Sequence, residues 1–170
     1  MTTANQGDIV VGVDHSAVSV AALRWAVSEA AVSGRRVVAL RAWSFEPVYD
    51  LGAAVAGAPE TVADRERQQL DEVVGEVRAD HPGVTVRAEL VEHSAAVALE
   101  EASKTAAMVV LGSHGRGRLL KLLVGSVAEH CLREASCPVV VIPVRTVPEP
   151  EKEPAATPEP AGSYYPGPLL

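Results

Sequence analysis

The chain has 170 residues, 48% hydrophobic and 22% charged, which is the size and composition of one globular domain that can bury about 70% of its unfolded surface without metals or disulfides. A net charge of −7 with 4% aromatics argues against a nucleic-acid ligand, because backbone binding needs clustered cations and single-strand binding needs stacking rings. The opening residues lack a basic stretch followed by an apolar one, and no run nears the ~18 apolar residues of a membrane span, so a cytosolic protein with no membrane contact is expected. Residues 9–13 are a short β-branched run, followed by Asp14 and Ser16 as helix-start residues and by Val20, Leu23, Val27 and Ala30 at helical spacing up to Gly34. Residues 37–43 read as a second strand. Residues 44–60 hold Pro and Gly without a strict period and form a long connection, of the kind that often borders function. Residues 61–80 are a charged amphipathic helix stopped by His81-Pro82-Gly83, and residues 84–91 a third strand. A short helix over 94–105, a strand over 107–111, a helix over 125–134 and a strand over 139–142, bounded by Pro138 and Pro143, complete the pattern. Such alternation predicts an α/β fold, a parallel sheet with helices on both faces joined by right-handed crossovers. No internal repeat is visible.

The ends of the chain differ in composition. Residues 1–7 read as a disordered N-terminus and residues 8–145 as the folded domain. Residues 146–170 carry seven prolines and a net charge of −3, too little apolar surface to offset the entropy of ordering, so a disordered tail is expected.

Open parallel sheets bind ligands beyond the carboxyl ends of their strands, where strand order reverses. Two polar, glycine-bearing turns fall at such ends: Val-Gly-Val-Asp-His-Ser over 11–16, and Leu-Gly-Ser-His-Gly-Arg-Gly over 111–117, which leads to Gly125-Ser126 before a helix. Either a 2-1-3 or a 3-2-1-4-5 order makes them face each other beside the first strand. Gly112, Gly115 and Gly125 let backbone approach a ligand closely, and the N–H groups of a helix start favour an anion. Ser126 adds a hydroxyl, and Arg116, Arg118 and Lys121 lower the local potential, which suits a polyphosphate. The same glycines also serve as tight turns and the same cations as a solvated face. The pattern is neither a Walker A loop nor G-x-G-x-x-G.

The spacing Gly112-x2-Gly115-x9-Gly125-Ser126, preceded by an apolar strand and followed by a helix and Cys-Pro-Val-Val-Val-Ile-Pro, resembles the nucleotide-binding signature of the universal stress protein family. The first strand and turn, Val11 to Ser16, are similar to that family's as well, and the likeness spans residues 8–144. It implies a Rossmann-like, adenine nucleotide α-hydrolase-like fold of five parallel strands in the order 3-2-1-4-5 with about four helices. It also implies ATP, with Mg2+, between the ends of strands one and four, and a homodimer, placed here through the apolar edge strand 139–142. Carried over by residue, Val13 and Asp14 would meet the adenine or ribose, and Ala42 would wall the base. Gly112 would lie by the ribose, with His114 and Gly115 near the phosphates, and Gly125, Ser126 and Val127 would close on the phosphates. Two departures stand out, Glu92-His93-Ser94 where relatives often have a glycine turn, and Ala106-Ala107 where an acidic residue is usual. Both concern the third crossover.

Other residue types yield less. His15, His81, His93, His114 and His130 show no metal-ligand spacing, so no metal held by side chains alone is expected. Cys131 and Cys137 make no disulfide framework and read as packing residues compatible with a reducing compartment. Ser16 and Ser126 read as helix N-caps rather than nucleophiles, since G-x-S-x-G is missing. The function expected is a cytosolic, ATP-binding regulator of stress or dormancy with a client protein that the sequence does not name. A slow ATPase or nucleotidyl transferase and a cyclic-nucleotide or ligand-free interaction module remain as alternatives.

Overall fold

The computed structural model describes residues 7–44, 59–113 and 124–143. The predicted tail at 146–170 and most of the 44–60 connection lie outside them. Nine elements follow in the order β1 (Ile9–Gly12), α1 (Ala17–Ser33), β2 (Val37–Trp43), α2 (Pro59–Asp80), β3 (Val86–Glu92), α3 (Ala95–Ser103), β4 (Met108–Gly112), α4 (Ser126–Glu134) and β5 (Val139–Ile142). Every expected element is present, with ends shifted by one or two residues. Helix α2 starts at Pro59, inside the expected connection. Proline suits a first helical position because the N–H it lacks has no intrahelical partner there.

The five strands form one parallel sheet in the order β3-β2-β1-β4-β5. This is the expected 3-2-1-4-5 order. In register, Ile9 stands beside Val37 of β2 and Met108 of β4, so β1 is central and flanked on both sides. A central parallel strand is covered on both faces, which is why β1 reads as continuous Ile-Val-Val without polar alternation.

Side chains alternate across the sheet and sort into two cores. On one face Ile9, Val11, Val37, Ala39 and Val110 pack with Leu23 and Val27 of α1 and Leu70, Val74 and Val77 of α2. On the other, Val10, Val38, Leu40, Val109 and Leu111 pack with Ala98, Leu99 and Ala102 of α3 and with Ala128 and Cys131 of α4. Each fully buried Leu, Ile or Val contributes about 1.5–3 kcal/mol relative to exposure. Helices α1 and α2 therefore lie on one face, and α3 and α4 on the other. The winding reverses between β1 and β4, which creates a crevice at their carboxyl ends.

Local chemistry sets the helix ends. Ser16 caps α1 by accepting the N–H of Ser19 at 3.1 Å, as expected, and Gly34 closes α1 in the left-handed conformation at φ 68°. The expectation for Ser126 needs correction. Gly125 is the N-cap of α4 and Ser126 its first helical residue. The Gly125 N–H donates to the carbonyl of Ser113 at 2.7 Å, so the chain is already fixed by backbone where a serine cap would act.

Candidate functional site

The β1 turn is built from its own side chains. Asp14 accepts the N–H of Ser16 at 3.0 Å and the Ser16 hydroxyl at 2.6 Å, both on Oδ1. Ser19 Oγ accepts the Asp14 N–H at 3.3 Å and donates to the Ser16 carbonyl at 2.9 Å. Between Asp14 and Ser16, His15 takes φ 65°, a left-handed conformation that costs a non-glycine residue about 1–3 kcal/mol and is held by this network. Partial burial pushes the Asp14 carboxyl pKa up. The Ser16 hydroxyl and N–H, the Ser19 hydroxyl and the field of Arg41 together outweigh that burial, and the carboxyl sits below its ordinary value. Asp14 is therefore an anion at neutral pH.

This turn forms one wall of an open cavity of about 110 Å³ at the carboxyl ends of β1, β2 and β4. Five of the residues singled out from sequence line it: Val13, Asp14, Ala42, Gly112 and Val127. Gly125 and Ser126 stand at the start of α4, immediately before the lining residue Val127. His114, Gly115, Arg116, Arg118 and Lys121 lie outside the described residues. Lining residues that sequence reasoning missed include Ser19, Arg41, Ala95 and Leu99. Arg41 carried a signal: a lone cation within an otherwise apolar parallel strand must find a buried partner. Its partner is Glu66 of α2, which accepts Arg41 Nε at 2.8 Å.

The cavity is shaped by a second close approach. A Cβ placed on Gly12 would stand 2.6 Å from Leu111 Cδ2 and 3.2 Å from Leu99 Cδ1, so a side chain at residue 12 would have to displace the leucine ends of β4 and α3. Opposite, the backbone N–H groups of the first turn of α4 have no intrahelical acceptor, and no side chain caps them among the described residues. The cavity thus combines apolar walls, one carboxylate and a helix N-terminus, a set that can accommodate a flat apolar ring, hydroxyl groups and an anion.

Among the described residues, no group of three or more His, Cys, Asp or Glu could hold a metal ion, and no helix is long and apolar enough to cross a membrane. Cys131 is buried within the α3/α4 core, and that burial, with Cys137 and Glu100 nearby, pushes its thiol pKa up to about 11.

The fold recurs in known proteins. A universal stress protein of Mycolicibacterium smegmatis is 36% identical over 147 residues, covering 82% of this chain and 49% of that protein. This chain thus spans about half the length of the curated relatives it matches. A universal stress protein solved in complex with cAMP superposes with a TM-score of 0.60 at 23% identity, covering 82% of this chain and 98% of that one. A universal stress protein from Archaeoglobus fulgidus in complex with dAMP gives 0.58 at 22% identity, covering 80% and 97%. A sequence model of the Universal stress protein family matches residues 7–143, the five strands and four helices described above, and the chain belongs to that family.

Proposed function

We propose that this chain binds an adenine nucleotide, ATP with magnesium, between the carboxyl ends of β1 and β4, and serves as a nucleotide-dependent regulator of a stress or dormancy response. The observation that carries the reading is the cavity at the point where strand order reverses, with the Asp14 turn on one side and Gly112 and the α4 N-terminus on the other. The adenine nucleotides named with two proteins of this fold, cAMP and dAMP, support the ligand class.

In this reading Val13 and Asp14 meet the ribose or base, Ala42 walls the base and Gly112 lies beside the ribose. Gly125, Ser126 and Val127 offer backbone N–H groups and a hydroxyl to the phosphates, together with His114 and Gly115. Arg116, Arg118 and Lys121 lower the potential nearby. Magnesium usually reaches such sites on substrate phosphates with one or two carboxylates, and Asp14 is the only carboxylate among the described lining residues. The ion would therefore travel with the nucleotide. A single carboxylate already accepting two hydrogen bonds from Ser16 suits occupancy better than turnover.

The assembly that accompanies this reading is a homodimer through β5. Val139, Val140, Val141 and Ile142 are each only partly buried on a sheet edge, where unpaired N–H and C=O groups invite a second strand. Light scattering should return a dimer at micromolar concentration, lost in Val141→Pro; a monomer throughout refutes it.

A second reading, a cyclic-nucleotide binder, is favoured by the neighbour solved with cAMP. Mass spectrometry of ligand retained through mild purification, followed by calorimetric titration, separates the two. ATP, ADP or AMP supports the first reading, cAMP alone the second. The lack of any bound or titratable adenine nucleotide overturns both.

A further inference from the structure

We propose that the buried Arg41–Glu66 ion pair is the positioning device of the ligand cavity, clamping the Val13–Asp14 turn onto β2 and α2 so that the nucleoside end of a ligand meets a pre-set wall. This rests on the adenine-nucleotide reading above, which it deepens.

Three observations carry it. Arg41 and Glu66 side chains are 7% and 10% exposed, so a full charge pair lies within the protein. The Arg41 guanidinium uses Nε and Nη2 on Glu66 Oε2 and turns Nη1 to the carbonyl of Val13 at 3.3 Å. The Val13 N–H donates to the Leu40 carbonyl at 2.9 Å, so both sides of the Val13 residue are held by β2. Parity along β2 shows where the force comes from. Arg41 shares the face of Val37 and Ala39, which pack toward α1 and α2, while Leu40 and Ala42 face α3 and α4. The guanidinium therefore reaches the Val13 carbonyl from the α2 side of the sheet, at the edge of the cavity that Val13, Asp14 and Arg41 line.

Stability alone gives no reason for the pair, because apolar side chains of similar volume in its place are often as stable or more so. What apolar side chains cannot do is reach two acceptors at once in a fixed plane, and neither can lysine. Helix α2 supplies the carboxylate that fixes the guanidinium, so the orientation of α2 is coupled to the turn. The field of Arg41 also helps to keep the Asp14 carboxyl ionised.

The test uses the full chain, Arg41→Lys, and the double variant Arg41→Met with Glu66→Met, each first shown to melt cooperatively. Two readouts follow: the titration of the Asp14 carboxyl by carbon-13 NMR without nucleotide, and calorimetric affinities for magnesium ATP and for tripolyphosphate. In the double variant the Asp14 pKa should rise and ATP should weaken about tenfold or more, with tripolyphosphate losing less than about a third of that factor. Arg41→Lys should weaken ATP in the same sense, because it keeps the charge and loses the fork. A merely structural role moves both probes equally; loss of the Arg41 charge raises the Asp14 pKa in the double variant whatever the role of the pair, so there the ratio of the two affinities decides. An unmoved Asp14, or the parent ratio of the two affinities in a folded variant, overturns the inference. If the double variant does not fold, Arg41→Lys decides by the ratio. If the parent binds neither probe, the nucleotide reading fails, and the Asp14 titration in Arg41→Lys, which keeps the charge and loses the fork, still judges the clamp.

Discussion

Replacing Gly12 by alanine tests the shape of the cavity without touching a polar group. The backbone there is not in a left-handed conformation, so alanine brings no dihedral strain, and its effect is wholly that of one methyl group. That methyl would lie 2.6 Å from Leu111 Cδ2 and 3.2 Å from Leu99 Cδ1, against the ~3.5–4.0 Å of a favourable carbon–carbon contact. Leu111 must move by about 1 Å, and the open space beside it is the cavity it lines. Overpacking of this kind costs about 1–3 kcal/mol, and the lower end applies because a side-chain end can swing into empty space. One kcal/mol corresponds to roughly 2–4 °C in Tm for a domain of this size. The displaced leucine then occupies space that a ligand ring would need. Loss of about 1–2 kcal/mol of binding, a factor of roughly 5–30 in Kd, is expected for ATP. Thermal melts and calorimetric titration read the two effects separately. A variant that loses ~3 kcal/mol of stability yet binds ATP as tightly as the parent would show that Leu111 moves away from the cavity, and the proposed placement of the ring would be wrong.

Asp14→Asn should remove a contribution to stability that is complete above the unfolded carboxylate pKa of about 3.9 and fades as pH falls through the lower folded value. The Tm difference between parent and variant should therefore shrink as pH is lowered below about 4, and a difference constant with pH contradicts the assignment. Gly125→Val should abolish ATP binding while Ser126→Ala weakens it by roughly 10-fold to 150-fold, one hydrogen bond to a charged group being worth about 1.5–3 kcal/mol. The order of severity, in variants shown to be folded, is what titration checks. Cys131, with its thiol pushed up to about 11 and buried, should resist iodoacetamide at pH 8 in the folded chain and react once it is denatured. Rapid labelling of Cys131 under native conditions would show that the α3/α4 core opens readily.

The sequence carried the fold through its local signals. The Ile-Val-Val run of β1, the Ser16 cap, the glycine stop at 34 and the proline-bounded β5 each act within a few residues, and each element lies where its pattern places it. The strand order was a different matter, since residue patterns alone allowed two orders and the family resemblance selected between them. The site was legible where it is made of turns: Val13, Asp14 and Gly112 are consecutive with strand ends, and all reach the cavity. It was illegible where side chains meet across the sheet. Arg41 and Glu66 are 25 residues apart, and only the packing of α2 on β2 joins them. Ala95 and Leu99 enter the wall because α3 lies over the crevice, and nothing in Ala-Ala-Val-Ala-Leu distinguishes a cavity wall from ordinary core. Ser126 was misread as a cap because serine before a helix is the commoner pattern, while here the preceding glycine is pinned by backbone.

The most direct test of the central claim is a nitrogen-15 NMR titration of the full chain with magnesium ATP, followed amide by amide. A nucleotide seated between β1 and β4 should shift the amides of Val13, Asp14, Ala42, Gly112 and Gly125 to Val127 together, saturating at one equivalent. Saturable shifts confined to other surfaces, or none at millimolar ATP, would contradict it.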